Sequence, residues 1–368
     1  MFSQNDKISV RQLQIMMILT MFASVSLTLP RTTAEIANQD GWMLVIGATF
    51  LMIGYAYLII TLGKMFPQQT FVEYSGEILT RPIGAIIVLV FIIKAVVFFG
   101  LEVRVFSELV KQTLLTKTPI EFIMIAFMFT LVFLTRKGIE CRARLCEIII
   151  FLALIPIFFI LLVSIKDVKI ENMAPFFALS YKDFFSGSYL LSIKAVGIEF
   201  LLLTLGYLRT QRHVTKAVFQ SIALFMVIGF IINFVTLGIF GYKCTARLIW
   251  PVMNIMQVVQ IPGSFIERQD ALMMSFWILT MVVINSAYLF YGSLATSKLF
   301  KTKENNWVNL LILPIAYFIA LGPDNVPDTY EVMTRLSKTY GLIFLLPVPL
   351  LLLVVAKIRK LGVQNETQ

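Results

Sequence analysis

Two charged residues lie inside a long apolar stretch of the sequence. Lys194 and Glu199 stand five positions apart in LLSIKAVGIEFLLLTLG (190–206), on either side of Gly197. A charge near the centre of a bilayer costs about 2.5–3.5 kcal/mol on insertion scales, so charges in such a segment indicate a functional site. A carboxylate there could meet a ligand amine, a cation or a proton. The alternative is a structural glutamate that bonds only to the backbone amides of a broken helix.

The spacing of Lys194 and Glu199 argues against a simple ion pair between them. Five residues correspond to about 140° around a regular helix, so the two side chains would meet only if the helix unwinds. Gly197 permits such unwinding because glycine adopts backbone angles that other residues avoid. Lys94 is the other candidate partner for Glu199, although its stem could instead snorkel towards the bilayer surface. The sequence therefore names Lys94, Lys194 and Glu199 as coupling candidates and leaves the pairing open.

The composition indicates that these charges lie in a membrane protein. Of 368 residues, 58% are hydrophobic and 14% are charged, whereas soluble domains are about 25% charged. Apolar stretches of about 18 or more residues recur along the chain, as expected of spanning helices. We predict an all-α polytopic membrane protein that forms one transporter-like domain over residues 1–368. About ten spans are predicted, at 12–30, 42–62, 83–103, 119–135, 146–165, 188–208, 217–240, 271–297, 307–322 and 340–356.

Residue counts exclude several classes of function. There is one histidine, His213, and the three cysteines (Cys141, Cys146 and Cys244) lack metal-ligand spacing. We therefore expect no catalytic cluster, no metal and no cofactor, and the protein is not expected to be an enzyme. The net charge of +10 is attributed to loops facing an anionic inner leaflet and not to nucleic acid.

The distribution of lysine and arginine predicts the orientation. With the N-terminus in the cytoplasm, the inner segments hold most of the basic residues and fewer of the acids, as the positive-inside rule requires. Both termini and the loops around Arg142 and His213 are then cytoplasmic, and the loop 166–185 is outside. The stretch LIWPVMNIMQVVQI (248–261) is too short to cross and is expected to lie along the outer interface, or to dip in and out, with a polar stripe of Asn254, Gln257 and Gln260.

Two spans are interrupted at corresponding positions. The first loses its large apolar side chains at Ala23-Ser24-Val25-Ser26, just before Leu27 and Pro30, and the sixth is interrupted at Gly197. Because these spans are five apart, the pattern favours a five-plus-five inverted repeat, with halves at about 10–165 and 186–357 and discontinuous helices 1 and 6. Close helix packing by small residues is the alternative for the first span.

Broken helices expose backbone groups to a site near the membrane midplane, so the residues around both interruptions are ligand-binding candidates. Tyr288 and Tyr291 of the eighth span could add hydroxyl groups, although each could instead be a core residue. The predicted ligand-binding residues are Ala23, Ser24, Val25, Ser26, Leu27, Gly197, Ile198, Glu199, Phe200, Tyr288 and Tyr291.

Six segments carry a resemblance to a known family. They are LTLPR (27–31) with DGW (40–42), KTPIEFIM (117–124), LIWPVMNIMQ (248–257), SFIERQDALMMSFWI (264–278), GPDN (322–325) and TYGLIFLLP (339–347). In this order they resemble the B subunits of bacterial spore germinant receptors, which are related to amino acid–polyamine–organocation transporters. One departure concerns the first-span break, where the family often has glycines and this chain has Ala23, Ser24 and Ser26. That difference bears on the size or class of ligand accepted.

The resemblance implies a function. It implies a germinant-sensing membrane subunit that binds a small nutrient such as an amino acid and triggers germination with receptor A and C subunits. It also implies a place in the spore inner membrane, with both termini on the spore-core side. The alternative is a proton- or sodium-coupled permease for an amino acid or amine, since a receptor and a carrier could share the same pocket.

Overall fold

The protein is a bundle of helices. The structure, a computed structural model, describes residues 6–258, 269–302 and 305–362. Within these ranges the only β-type pairing is an isolated bridge between Ile8 and Leu208. The helices are α1 (Val10–Val25), α2 (Leu29–Ala37), α3 (Gly41–Met65), α4 (Phe71–Ile78), α5 (Arg81–Thr113), α6 (Ile120–Thr135), α7 (Gly138–Ser164), α8 (Tyr181–Lys194), α9 (Leu201–Thr204), α10 (Val214–Thr245), α11 (Pro251–Val258), α12 (Gln269–Phe300), α13 (Asn305–Leu321), α14 (Val326–Leu336) and α15 (Pro347–Ile358).

Each predicted span coincides with a helix or with two helices on either side of a break. Among the described residues, five helical segments are long and apolar enough to cross a bilayer, or six if the pair bent by 115° between α13 and α14 counts as one. Helices α1, α6 and α15 are apolar but shorter. The prediction of an all-helical polytopic membrane protein is therefore confirmed.

Helix α12 lies at the centre of the bundle and α7 at its edge. In the apolar membrane-spanning stretch of each helix, 83% is buried inside the protein for α12 and 33% for α7. On α7, Phe151, Ile155 and Phe158 share one exposed face, as their spacing requires. Because α12 packs against α5 and α1, it brings the third, first and eighth predicted spans together. This arrangement positions the site described below.

The segments predicted to be cytoplasmic gather at one end of the bundle. The backbone N–H of Ile8 donates to the carbonyl of Tyr207 at 2.9 Å, and Lys298 at the end of α12 forms an ion pair with Glu73 of α4 at 2.8 Å. At the opposite end, Asp40 accepts hydrogen bonds from Phe177 and two following backbone amides in the predicted outer loop. The structure sorts the two sets of loops as predicted, and which end faces the cytoplasm stays a prediction.

The structure corrects the predicted place of Arg142 and gives the length of the helix in the stretch 248–261. Arg142, predicted in a cytoplasmic loop, lies instead within α7 and is buried, because α7 begins at Gly138 and carries Arg142 into its second turn. Within the stretch 248–261, α11 forms over Pro251–Val258, and eight residues of helix extend only about 12 Å, too short to cross. The positions 259–261, including Gln260, lie outside the described residues.

Candidate functional site

The two interrupted helices face each other. Helix α1 continues through Val25, so the first break lies at Ser26–Thr28, slightly beyond the predicted 23–26. The second break covers 195–200, between α8 and α9. Ser24 links them: its hydroxyl donates to the carbonyl of Met21 at 2.8 Å and accepts from the backbone N–H of Val196 at 3.2 Å. Ser24 thus satisfies a backbone donor that the second break leaves free.

The second break depends on glycine at position 197. Gly197 has φ of +134°, a conformation that side chains with a Cβ rarely adopt. A Cβ added there would lie 3.3 Å from Cγ of Met21 and 3.6 Å from Cβ of Thr20. Glycine therefore allows both the turn and the close approach of the break to α1.

A central cavity lies between the breaks, α5 and α12, with an empty volume of about 650 Å³. It opens into a vestibule of about 1390 Å³, to which α2 and α14 contribute, and Thr28, Lys194, Tyr330 and Thr334 line both spaces. The cavity lining includes Ser24, Val25, Lys94, Phe98, Glu102, Lys194, Glu199 and Tyr288. The structure thus brings all three coupling candidates and three further predicted residues to one space.

Glu199 pairs with Lys94 and not with Lys194. The ammonium of Lys94 contacts Oε2 of Glu199, and both side chains are buried. The same ammonium lies 5.9 Å from the ring centroid of Phe98 and 5.8 Å from that of Phe344, a cation–π arrangement. Lys94 therefore does not snorkel to the bilayer surface. The break at Gly197 lets Glu199 turn towards α5, which explains how a carboxylate is accommodated in the sixth span.

Lys194 is an unpaired cation where the cavity meets the vestibule. It is the last residue of α8, and its ammonium makes no hydrogen bond or ion pair with any described residue. Four other vestibule charges are paired, Arg31 with Glu35 at 2.8 Å and Arg335 with Glu331 at 3.1 Å, whereas Lys338 and Asp328 form no ion pair with a described residue. Lys194 is thus available to an anionic group entering from the vestibule.

Glu102 is a cavity residue that the sequence did not single out as part of the site. The nearby Arg104 on the same helix does not pair with it, because Arg104 binds Glu108 at 2.9 Å and the carbonyl of Asp324 at 2.9 Å. The buried carboxylate of Glu102 lines the cavity with no hydrogen bond or ion pair to a described residue. The sequence could have indicated Glu102, because it is an acidic residue within the apolar third span and intramembrane acids are functional candidates by default.

Tyr288 adds a hydroxyl without a protein partner. Its ring is buried, stacks on Phe98 at 5.9 Å between centroids and meets Phe200 edge-on at 5.4 Å. Its hydroxyl has no hydrogen-bond partner among the described residues. A buried hydroxyl without a partner is costly, so a ligand or water is the expected acceptor.

The remaining predicted site residues lie away from the central cavity. Gly197, Phe200 and Tyr291 line a separate, smaller cavity of about 240 Å³, because Tyr291 lies one turn further along α12 than Tyr288. Four others are buried and line neither cavity, because α1 stays helical to Val25 and the tight turn after Gly197 points inward: Ala23, Ser26, Leu27 and Ile198.

The fold is that of known solute transporters. A structure titled MhsT in complex with L-phenylalanine superposes with a TM-score of 0.72 at 12% identity, covering 94% of this chain and 88% of that one. A Na⁺-coupled sialic acid symporter gives 0.66 at 13% identity over 92% and 77% of the two chains. Mhp1, a nucleobase-cation-symport-1 family transporter, gives 0.61 at 11% identity over 94% and 80%. At these identities the likeness shows the fold alone.

The sequence relatives given below are all named spore germination proteins. Spore germination protein YndE of Bacillus subtilis (strain 168) is 28% identical over 98% of this chain and 99% of its own length. Spore germination protein A2 of the same strain is 25% identical over 92% and 93%, and GerLB of Bacillus cereus is 24% identical over 99% and 98%. The family profile described as "Spore germination protein" matches residues 7–329 of this chain. With that match covering most of its length, the chain belongs to the spore germination protein family.

Proposed function

We propose that this protein is the germinant-sensing membrane subunit of a spore germination receptor. It binds a small nutrient such as an amino acid in the central cavity and triggers germination together with receptor A and C subunits. It resides in the spore inner membrane with both termini on the spore-core side. Family membership and the transporter fold support this assignment at the level of a germinant-sensing or permease-like membrane protein.

The observation that carries the proposal is a basic and an acidic side chain on one cavity, neither with a partner among the described residues. Lys194 offers a cation and Glu102 offers an acid, while the Tyr288 hydroxyl adds a polar contact. A zwitterion carries one charge of each sign and can satisfy both groups at once. Charge-assisted hydrogen bonds are about twice as strong as neutral ones, so such a ligand would gain affinity from both.

The cavity also suggests how ligand binding could be transmitted to partner subunits. A ligand shifts a conformational equilibrium only by its difference in affinity between the two states. Lys194 on α8 and Tyr330 on α14 both line the cavity and the vestibule, so a ligand that bridges them favours closure of the vestibule. Closure would move α14, which lies at the end of the bundle predicted to be outside, where partner subunits could detect it.

A coupled permease for an amino acid or amine is the second candidate function. It is favoured by the fold, which this chain shares with solute symporters. Against sodium coupling at Glu199, the Lys94 ammonium already occupies the position beside that carboxylate. Uptake of labelled amino acid into proteoliposomes, driven by a proton or sodium gradient, would favour the permease; germination without uptake favours the receptor.

Replacement of Lys194 tests the proposed ligand site. Lys194→Gln removes the unpaired cation but keeps hydrogen-bonding capacity, and we expect the germinant concentration for half-maximal germination to rise about tenfold or more, as loss of a hydrogen bond to a charged group implies. Lys182→Gln, on the exposed part of the same helix, is the matched control and should leave the response unchanged. Equal sensitivity of both variants at equal abundance would remove Lys194 from the site.

A further inference from the structure

The largest fully buried side chain of the described residues is a charged one. Arg142 lies in the second turn of α7 and is 1% exposed. Arginine stays protonated in proteins, so burial cannot be relieved by loss of the proton. An uncompensated buried ion is strongly unfavourable, which means that a partner charge is expected close by.

The hydrogen bonds of Arg142 within the described structure are few and long. Its Nε donates to the hydroxyl of Ser286 at 3.3 Å and its Nη2 to the carbonyl of Val283 at 3.4 Å. The guanidinium carbon lies 5.1 Å from the ring centroid of Tyr291. Nη1 has no hydrogen-bond partner among the described residues.

No carboxylate in the described part of the chain pairs with Arg142. The acid two positions before it, Glu140, is bound by Arg144 at 2.6 Å. The buried Arg104 provides the contrast, since it has its own carboxylate in Glu108 at 2.9 Å. The buried Arg104 therefore has a carboxylate partner, whereas Arg142 has none among the described residues.

Arg142 faces the smaller cavity, which shares no lining residue with the central one. This cavity has an empty volume of about 240 Å³ and lies where α1, α7, α9 and α12 meet. Besides the guanidinium, its polar lining consists of the hydroxyl-bearing residues Thr20, Thr204 and Tyr291. The hydroxyl of Thr204 donates to the carbonyl of Phe200 at 2.8 Å and lies 2.6 Å from the hydroxyl of Tyr291, which is placed to donate to it.

We propose that this cavity is a binding site for a small inorganic anion of the size and charge of chloride, held by the guanidinium of Arg142. The anion takes the free Nη1 donor and supplies the counter-charge that no described carboxylate provides. It also joins α7 to α9 and to the part of α1 between Leu13 and Thr20. This contact lies on the side of the Gly197 break away from the central cavity. Its expected effect is to stabilise the folded protein, because a ligand bound only by the folded state raises stability with its concentration.

The test uses the full-length protein purified in detergent, without partner subunits or germinant. Thermal unfolding is followed in sodium chloride and in sodium gluconate of equal ionic strength, since gluconate is too large and too polar to replace chloride in the cavity. We expect the unfolding midpoint to rise with chloride and to saturate, by about 2 °C when chloride exceeds its dissociation constant roughly tenfold. ³⁵Cl NMR line broadening of the wild-type protein measures binding directly.

Variants locate the site. Arg142→Gln should abolish both the chloride-dependent shift and the line broadening, and Arg142→Lys should retain part of each. Arg104→Gln, which removes the other buried arginine, should lower stability yet keep the full chloride response. Glu199→Gln should keep it too, so failure of this proposal is distinguishable from failure of the proposed function.

Several results would overturn the assignment. They are a wild-type midpoint that is equal in chloride and gluconate, or a chloride shift that survives in folded Arg142→Gln. A shift produced by amino acids in place of chloride would assign the cavity to a ligand carboxylate and would likewise overturn it. If Arg142→Gln does not fold, absence of ³⁵Cl broadening in the wild-type protein still decides against the site.

Discussion

At the scale of single residues, the buried ion pair of Lys94 and Glu199 lies in the lining of the central cavity. Removing one member of such a pair leaves the other charge buried, at a cost of about 3–5 kcal/mol. We therefore expect Glu199→Gln to reduce germinant sensitivity strongly and to lower the amount of protein in the spore membrane. Germination rate against germinant concentration, with immunoblots of spore membranes, measures both effects.

A double replacement separates the two causes. Lys94→Gln/Glu199→Gln has no unpaired charge, so abundance should recover relative to the single variant. If the charge of Glu199 acts on the ligand or on a proton, sensitivity stays low despite normal abundance. Recovery of sensitivity together with abundance would instead leave Glu199 a purely structural role.

Ser24 is the second residue for which the structure separates two roles. Ser24→Ala removes the hydroxyl that donates to the Met21 carbonyl and accepts from the Val196 N–H, which leaves a backbone donor unpaired and costs about 1–3 kcal/mol. Ser24→Leu adds bulk inside the cavity as well. We expect a moderate loss of response in Ser24→Ala and a complete loss in Ser24→Leu, both with protein present in the membrane. A normal response of Ser24→Leu at normal abundance would exclude Ser24 from the site.

At the scale of elements, the break between α8 and α9 is the feature most dependent on a single residue type. Gly197→Leu would place a branched side chain at φ of +134° and against Met21 of α1, so the two broken helices could not approach. We expect loss of the germination response whatever the germinant concentration, accompanied by reduced abundance. Gly54→Leu is the control, because nothing lies within 4 Å of a Cβ at that position of α3. Equal behaviour of the two variants would show that the break needs no glycine.

The helices also show which features of the fold could be predicted from the sequence. Long apolar segments such as α5 and α12 were predicted correctly, because the requirement to span lipid dominates their composition. The break at Gly197 was predicted because this glycine lies between two charged residues, Lys194 and Glu199, in an otherwise apolar segment. Helix α14 was not predicted: its first turn carries Asn325 and Asp328 as a helix cap, but its composition is polar and resembles a loop.

Side-chain environment was the part that sequence could not supply. A hydropathy window does not distinguish lipid-facing from bundle-facing positions, so Arg142 was predicted in a cytoplasmic loop although it is buried within α7. The same limit applied to Glu102, which the fold places in the lining of the central cavity while the nearby Arg104 pairs with Glu108. The choice of Lys94 over Lys194 as the partner of Glu199 likewise depends on how α5 packs beside the second break.

At the scale of the whole molecule, one helix is enough to test the predicted orientation in the membrane. From Val214 to the kink at Gly241, α10 extends about 40 Å, more than the roughly 30 Å of a bilayer core. Its two ends must therefore lie on opposite faces if it spans. His213 precedes its first residue, and the exposed Cys244 lies in its last turn. These two positions report the orientation of the entire bundle.

We predict that Cys244 is labelled from outside the cell membrane and position 213 only from the cytoplasm. In a background carrying Cys141→Ser and Cys146→Ala, native Cys244 should react with a membrane-impermeant maleimide on intact protoplasts. His213→Cys, with Cys244→Ser added, should react only in inside-out vesicles or after permeabilisation. The basic residues near position 213 make this the expected cytoplasmic end. The opposite labelling pattern would invert the orientation, and labelling of both positions from one side would show that α10 does not cross the membrane.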